Sequence, residues 1–303
     1  MTEAEFLAAL RTLPLHVAAR DLRDDTALLA TAGPLVLTTD TLVEGIHYLP
    51  ADPAEDVAWK LVAVNLSDLA AKGATPVGVL LNYPLAGDYA WDRAFLAGFG
   101  EILARFDCPL IGGDTTSLPA GAARVLSLTA IGSDAAAPPR SGARDEDSLW
   151  VAGNIGDAGA GLAIASGAAG PASLLAAYRR PAPLLAEGRL LAPQVHAMMD
   201  VSDGLLIDAA RMAEASGLAV EIDLATVPLS ADFRAHKGDD RAVCLDAVTA
   251  GDDYALLFAA PSGFVPPVPA TRVGAFATGA GLTLRDGTET VAVPSRLGFE
   301  HAG

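Results

Sequence analysis

Seven aspartates of this sequence sit beside turns or strand ends, most of them just after an apolar run: Asp24 and Asp25 in RDDTALL, Asp40 in LVLTTDTL, Asp68 in VNLSDLAAKG, Asp114 in LIGGDTT, and Asp200 and Asp203 in MMDVSDG. Aspartate's short stem keeps its charge close to a backbone that is just leaving a core. That suits rigid coordination of divalent cations by oxygen, and Mg²⁺ in particular takes a few carboxylates together with water and substrate phosphates. The hydroxyls of Thr38 and Thr39, beside Asp40, belong to the same chemistry. Taken singly, each aspartate is a turn or cap residue, the commonest use of aspartate at such places. Their recurrence weakens that account without showing that they converge in space.

The stretch DVSDGLLID, residues 200–208, concentrates the question. Ser202 at a helix cap and Asp203 in the first helical turn would each be stabilising there, by capping and by the helix dipole. Asp200 precedes that cap and is left over, a surplus that a bound cation would explain. Other catalytic patterns are absent or poor. GNIGDAGAGL, residues 153–162, is glycine-rich but lacks the Lys-Ser or Lys-Thr of a phosphate loop, and its glycines misfit a dinucleotide fingerprint. Tight helix packing accounts for them better. The five histidines form no metal-ligand spacing, and only His47, in TLVEGIHY, adjoins a candidate site. There is no GxSxG nucleophile and no Cys-His pairing; Cys108 and Cys244 read as two buried thiols of a reducing compartment.

These residues need elements to hold them. A short helix over 3–11 precedes two expected strands, TALLAT and PLVLTTD. DPAEDVAWKLVAVNLSDLAAKGA has helical apolar spacing and stops at Gly73. VGVLLNYPL is a strand, WDRAFLAGFGEILARF an amphipathic helix, PLIGGDTT a strand entering a glycine turn, and RVLSLTAIG a strand. SDAAAPPRSGARDED, rich in Pro, Gly and charge, reads as a domain boundary. Beyond it come a strand at SLWVAG, a small-residue helix, a basic helix at LLAAYRRP, the segment at 200–208, and strands at AVEID, YALLFAA and TRVGAF. The reading is two α/β (α+β) domains, 1–137 and 138–303. No long repeat is visible, although NLSDLAAKG and DVSDGLLID echo each other as Ser-Asp pairs before apolar helices.

Bulk properties agree. The chain has 303 residues, 51% of them apolar, enough for two cores. Its net charge of −17 argues against general nucleic-acid binding, which needs a basic surface, but not against nucleotides bound through metal. The uncharged run Ala158–Tyr178 is mostly Ala, Gly and Ser with Pro171 inside it, a packed helix and loop, not a membrane span. With no secretory pattern at MTEAEFLAALRTLP, a cytoplasmic protein without membrane or nucleic-acid partners is expected.

Together DDTALL, LTTDTLVEGIHY, WKLVAVNLSDLAAKGATP, LIGGDTT, PRSGA, GLAI, RRPAPLLAEGRLLA, DVSDGLLIDAA and GDDYALLF occur in an order that resembles the thiamine-monophosphate kinase family. The resemblance runs from about residue 24 to GFEH, with NLSDLAAKGATP and DVSDGLLID its most specific parts. It implies the two-domain fold of the superfamily of aminoimidazole ribonucleotide synthetase and selenophosphate synthetase. It also implies a homodimer whose N-terminal domains join in a β-barrel, and a C-terminal domain completing an aspartate-lined ATP cleft. The implied activity is Mg²⁺-dependent transfer of the ATP γ-phosphoryl group to thiamine monophosphate, the last step of thiamine diphosphate synthesis. Carried over by position, Asp25, Thr38, Thr39, Asp40, Asp68, Asp114, Asp200 and Asp203 would hold several Mg²⁺ ions. Gly113, Asp114, Arg140 and Ser202 would contact ATP, and His47, Asp252 and Phe299 the thiamine phosphate. No side chain is implied as nucleophile or general base, since a phosphate acceptor is already anionic and the need is for charge screening and in-line alignment.

Three departures from the family pattern stand out. Arg23 replaces the usual Gly before the first Asp pair, GEDYEL becomes GDDYAL at Asp252 and Ala255, and GFDHF becomes GFEH followed by Ala302. The last two bear on the acceptor more than on ATP. Rival readings are another ATP-dependent synthetase of the superfamily and a non-catalytic nucleotide- or metal-binding relative. The selenophosphate and hydrogenase-maturation branches match less, because the N-terminal Cys or Sec of the first and the C-terminal Cys of the second are absent.

Overall fold

The computed structural model describes residues 1–23, 26–119, 121–133 and 136–300. It divides into two compact units, Met1–Leu69 with Ala74–Ala135, and Ala70–Gly73 with Ala136–Gly303. The first unit contains α1 (Glu3–Leu10), β1 (Leu35–Val43), α2 (Ala54–Ala70), β2 (Thr75–Leu85), α3 (Tyr89–Arg105), β3 (Leu110–Ser117) and β4 (Val125–Ser133). Its four strands form one sheet in the order β1-β4-β2-β3, antiparallel except for the parallel β2–β3 pair. One face of that sheet meets helices, and its core carries a run of rings: Phe6 stacks on Tyr83 at 4.3 Å and Tyr83 meets Phe95 at 4.8 Å. Burying each such ring contributes roughly 1.5–3 kcal/mol. The other face leaves Leu37 and Val125 exposed beside Thr39 and Thr41.

The second unit contains β5 (Ser148–Ala152), α4 (Asp157–Ala165), α5 (Ala172–Arg179), α6 (Leu185–Leu191), β6 (Ala197–Asp200), α7 (Leu205–Ser216), β7 (Leu218–Asp223), α8 (Ala231–Lys237), α9 (Arg241–Thr249), β8 (Leu256–Ala260), β9 (Thr271–Thr278), β10 (Gly281–Asp286) and β11 (Glu289–Val291). Seven strands make a mixed sheet in the order β11-β10-β7-β9-β5-β8-β6. Its centre, β5 and β8, is buried along almost its whole length, which is why SLWVA and LLFAA carry no polar alternation.

Most expected elements are present, and Cys108 and Cys244 are buried as expected. The Ala158–Tyr178 run is α4, a connection and α5, and among the described residues no helix is long and apolar enough to cross a membrane. The glycines of 153–162 do pack helices. A Cβ on Gly161 would stand 2.1 Å from the Leu174 carbonyl oxygen, and one on Gly159 2.6 Å from Ala250 Cβ.

Four local readings change. TALLAT is not a strand: Leu28 N–H bonds the Ala18 carbonyl and the Leu28 side chain is largely exposed, so no ladder forms there. LIGGDTT does not turn at its glycines but continues as β3 to Ser117. Gly113 serves close strand approach, since a Cβ there would lie 1.8 Å from the Leu81 carbonyl oxygen. The Ser-Asp echo is not structural, because Ser67-Asp68 lies inside α2 whereas Ser202-Asp203 precedes α7. Finally, Ser202 does not cap α7. The helix starts after Gly204, and the side chain of Asp208 accepts the Ser202 and Asp203 amides instead.

Candidate active site

In the first unit the chemistry gathers at β1. A strand turns successive side chains to opposite faces, so Thr38 and Asp40 share one face and Thr39 and Thr41 the other. On the first face, the Thr38 hydroxyl donates to Asp68, near the C-terminal end of α2. Asp40 is close enough to Asp68 to feel its charge: burial first, then Asp68, pushes the Asp40 carboxyl up to about 6. Thr38, Asp40 and Asp68 are therefore brought together as hard oxygen donors. Thr39 is not with them; its hydroxyl donates to the Leu128 carbonyl (3.1 Å) and accepts from Thr129 (3.1 Å). Asp114 is exposed on β3 beside Asn82, with Gly113 next to it. In the sheet order β1-β4-β2-β3 it lies on the far outer strand from Asp40, three spacings or roughly 14 Å away in a flat sheet. Among the described residues no group of three or more His, Cys, Asp and Glu side chains is assembled as a metal centre. Asp25 lies outside the described residues.

His47 stands in the turn that follows β1. Its Nδ1 accepts the Val43 N–H (3.0 Å), and its carbonyl accepts from the buried Lys60 of α2 (3.1 Å). With Nδ1 used as an acceptor, the neutral ring carries its proton on Nε2, a donor suited to an anionic oxygen.

In the second unit the loop after β6 is a hub. Asp200 ends β6 and is buried. Val201 exchanges main-chain bonds with the 254–255 segment, the Ser202 carbonyl accepts the Asp252 N–H (2.8 Å), and the Asp203 carbonyl accepts the Phe299 N–H (2.8 Å). Gly251 and Gly298 permit that approach, since a Cβ on either would come within 2.7 Å of a loop carbonyl. Thus Asp200, Ser202, Asp203, Asp252 and Phe299 are drawn to one place from three distant stretches. The backbone is strained at this point: Asp252 has φ +68° and Tyr254 φ +51°, with the Tyr254 hydroxyl donating to Asp252 (3.0 Å). Arg140 is exposed on a turn whose neighbouring Pro139 carbonyl accepts the Met198 N–H of β6 (3.3 Å).

Several contributors escaped sequence reasoning. Asp208, fully buried, takes the Ser202 and Asp203 amides at 3.0 Å each and Arg211 at 3.0 Å; burial raises its carboxyl despite those donors. Arg211 also grips Asp203. The i,i+3 spacing of Asp208 and Arg211 was the readable signal. Asp253 accepts from the Gly156 and Ala158 amides at the start of α4, so the doubled acid of GDDYAL divides its work: Asp252 faces the loop and Asp253 holds a helix. Lys60, the single basic residue in the sequence of α2, donates to the His47 carbonyl and is a further contributor that periodicity alone does not single out.

Similarity to known proteins follows the same two units. Residues 23–133 match the family model "AIR synthase related protein, N-terminal domain", and residues 144–281 match "AIR synthase related protein, C-terminal domain". The thiamine-monophosphate kinase of Escherichia coli (strain K12) is 39% identical over 78% of this chain and 75% of its own. The crystal structure of thiamine-monophosphate kinase from Stenotrophomonas maltophilia K279a superposes with TM-score 0.80 at 34% identity, over 93% of this chain and 94% of that one. AaThiL, solved in complex with AMPPCP and TMP, superposes with TM-score 0.78 at 29% identity, over 88% and 90% of the two chains.

Proposed function

This chain belongs to the thiamine-monophosphate kinase family, and from that premise we infer that it catalyses the ATP-dependent phosphorylation of thiamine monophosphate to thiamine diphosphate. The observation that carries the reading is the close likeness to AaThiL, a relative holding both AMPPCP and TMP.

We assign Mg²⁺ to the oxygen donors. In the first unit Thr38, Asp40 and Asp68 fit it: two carboxylates and a hydroxyl are hard donors, and the raised Asp40 carboxyl marks a negative charge lacking compensation. Asp114, with Asp25 and Thr39, is proposed as a further ligand of that unit, and Asp200 and Asp203 as ligands in the second. When bound, Mg²⁺ would screen the phosphates from each other and polarise the transferred group. The chain's own residues then bind and aim. Gly113, Arg140 and Ser202 are assigned to ATP; Arg211 and Asp208 hold the Ser202–Asp203 loop still. His47, Asp252 and Phe299 are assigned to thiamine phosphate, with His47 Nε2–H a donor for its phosphate. The acceptor oxygen is anionic near neutral pH, so no side chain need deprotonate it.

Transfer is proposed to be direct and in line. A single displacement inverts configuration at phosphorus, so [γ-thio]ATP made chiral at its terminal phosphorus with oxygen isotopes should yield the inverted thiophosphoryl product. Net retention, or phosphate trapped on the protein without acceptor, would replace this with a covalent route. Turnover of ATP with thiamine monophosphate is the primary test, and no diphosphate product would defeat the assignment itself. An ATP-consuming reaction of this kind fits a cytoplasmic setting. We also propose a homodimer joined through the open sheet face bearing Leu37 and Val125. Light scattering should give twice the chain mass, and Leu37→Glu should yield monomer; a monomeric wild-type chain would overturn it.

A further inference from the structure

One side chain outside the assigned residues converges on the turn that carries His47. In the β1–β4 ladder Val43 lies opposite Val125, so Glu44 and Arg124 are the next pair outward. Their main chains and side chains are tied twice: Glu44 N–H donates to the Arg124 carbonyl (3.0 Å), and Arg124 N–H donates to Glu44 Oε2 (3.0 Å). The Arg124 guanidinium stands 3.6 Å from the same carboxylate and 3.9 Å from Asp88, whose side chain caps α3. It also lies over the Trp91 ring at 4.2 Å, a favourable cation–π arrangement. This is not a loose surface pair, since the Arg124 side chain is only 14% exposed.

Glu44 opens the turn. Gly45 N–H bonds the Tyr48 carbonyl (2.8 Å), and the Ile46 and His47 amides both reach the Val43 carbonyl. The His47 ring in turn accepts from Val43 N–H. The His47 ring is thus held by the turn's own main chain, and the turn is joined to the neighbouring strand by the Glu44–Arg124 tie and to α2 by Lys60, which donates to the His47 carbonyl. Among the described residues the buried Tyr48 hydroxyl and Arg124 Nε meet no hydrogen-bonding partner.

We propose that Arg124 is a positioning residue: through Glu44 it fixes the turn that aims His47 at the acceptor phosphate. The inference rests on the assignment of His47 to thiamine phosphate made above. Arg124 touches no substrate in this account. Its loss frees the turn, so acceptor binding weakens while the nucleotide side is untouched.

The test compares Arg124→Gln and Glu44→Gln with the wild-type chain. Each should raise KM for thiamine monophosphate roughly tenfold with kcat and the KM for ATP nearly unchanged, the signature of lost ground-state binding. Arg124→Lys, which keeps charge but not the flat stacking group, should recover part of it. In a His47→Ala background Arg124→Gln should add less than about twofold, because the residue it positions is gone. A full tenfold loss in that background would overturn the proposal. Hydrogen exchange of the 43–48 amides is read on the same variants without substrate, and faster exchange in Arg124→Gln is expected. Should the wild-type chain prove inactive on thiamine monophosphate, the functional assignment falls separately, and unchanged exchange in Arg124→Gln would still overturn the clamp.

Discussion

Asp40 carries opposite demands at the scale of one residue. Its carboxyl is half-buried beside Asp68, and both burial and that neighbour disfavour its charge. A residue selected for stability would not be a carboxylate there; one selected to hold a cation would. Asp40→Asn should therefore lower turnover on the order of a hundredfold or more, about 2.7 kcal/mol of transition-state stabilisation. In EDTA the same variant should show a thermal midpoint no lower than wild type, because a disfavoured charge has been removed. Asp114→Asn, on an exposed strand position, should lose activity similarly with no change in melting. Near-wild-type turnover in either variant would return that aspartate to an ordinary strand or turn residue.

At the scale of the element, α4 is placed by what its glycines lack and by what Asp253 supplies. A Cβ on Gly161 would collide with the Leu174 carbonyl, which belongs to α5 and cannot swing aside as a side chain tip would. Gly161→Ala should cost about 1–3 kcal/mol in urea unfolding, as overpacking does. Gly33→Ala, with open space around it, should stay within about 0.5 kcal/mol. Equal effects would mean that helix packing does not need the glycine. Asp253 anchors the same helix while buried, and burial raises its carboxyl well above the usual carboxylate range, against the donation of two amides. The folded state thus favours its protonated form. Its contribution is most favourable at low pH and is lost as pH rises through the folded value. Urea midpoints measured from mildly acidic to neutral pH should fall more steeply in the wild type than in Asp253→Asn. Parallel slopes would show that Asp253 carries no such dependence.

For the whole molecule, net charge and metal act together. A chain of net charge −17 that carries its site on aspartates should repel free ATP. Calorimetry should show ATP binding in millimolar Mg²⁺ and little in EDTA, and equally tight binding in EDTA would remove the multi-metal reading.

What the sequence by itself determined was the set of elements and the residue types offered for chemistry. Hydrophobic periodicity is local, so α2, α3, β2, β4 and β8 were legible from apolar spacing alone, and the order of short motifs was enough to reach the family. Asp40 and Asp68 were legible as candidates for the same reason: each follows an apolar run. Only the tertiary structure decided which of these candidates meet. Thr38 reaches Asp68 and Thr39 turns away because a strand alternates faces, a fact that requires knowing where β1 begins. Asp208, not Ser202, secures the start of α7, since a carboxylate one turn in can reach two amides at once. TALLAT has the composition of a strand, but no neighbour offers it a ladder. Pairing, capping and charge coupling are interactions between residues far apart in the chain, here 30 positions for Thr38 and Asp68. Their energies depend on separation and burial in space, which composition and spacing along one chain do not contain.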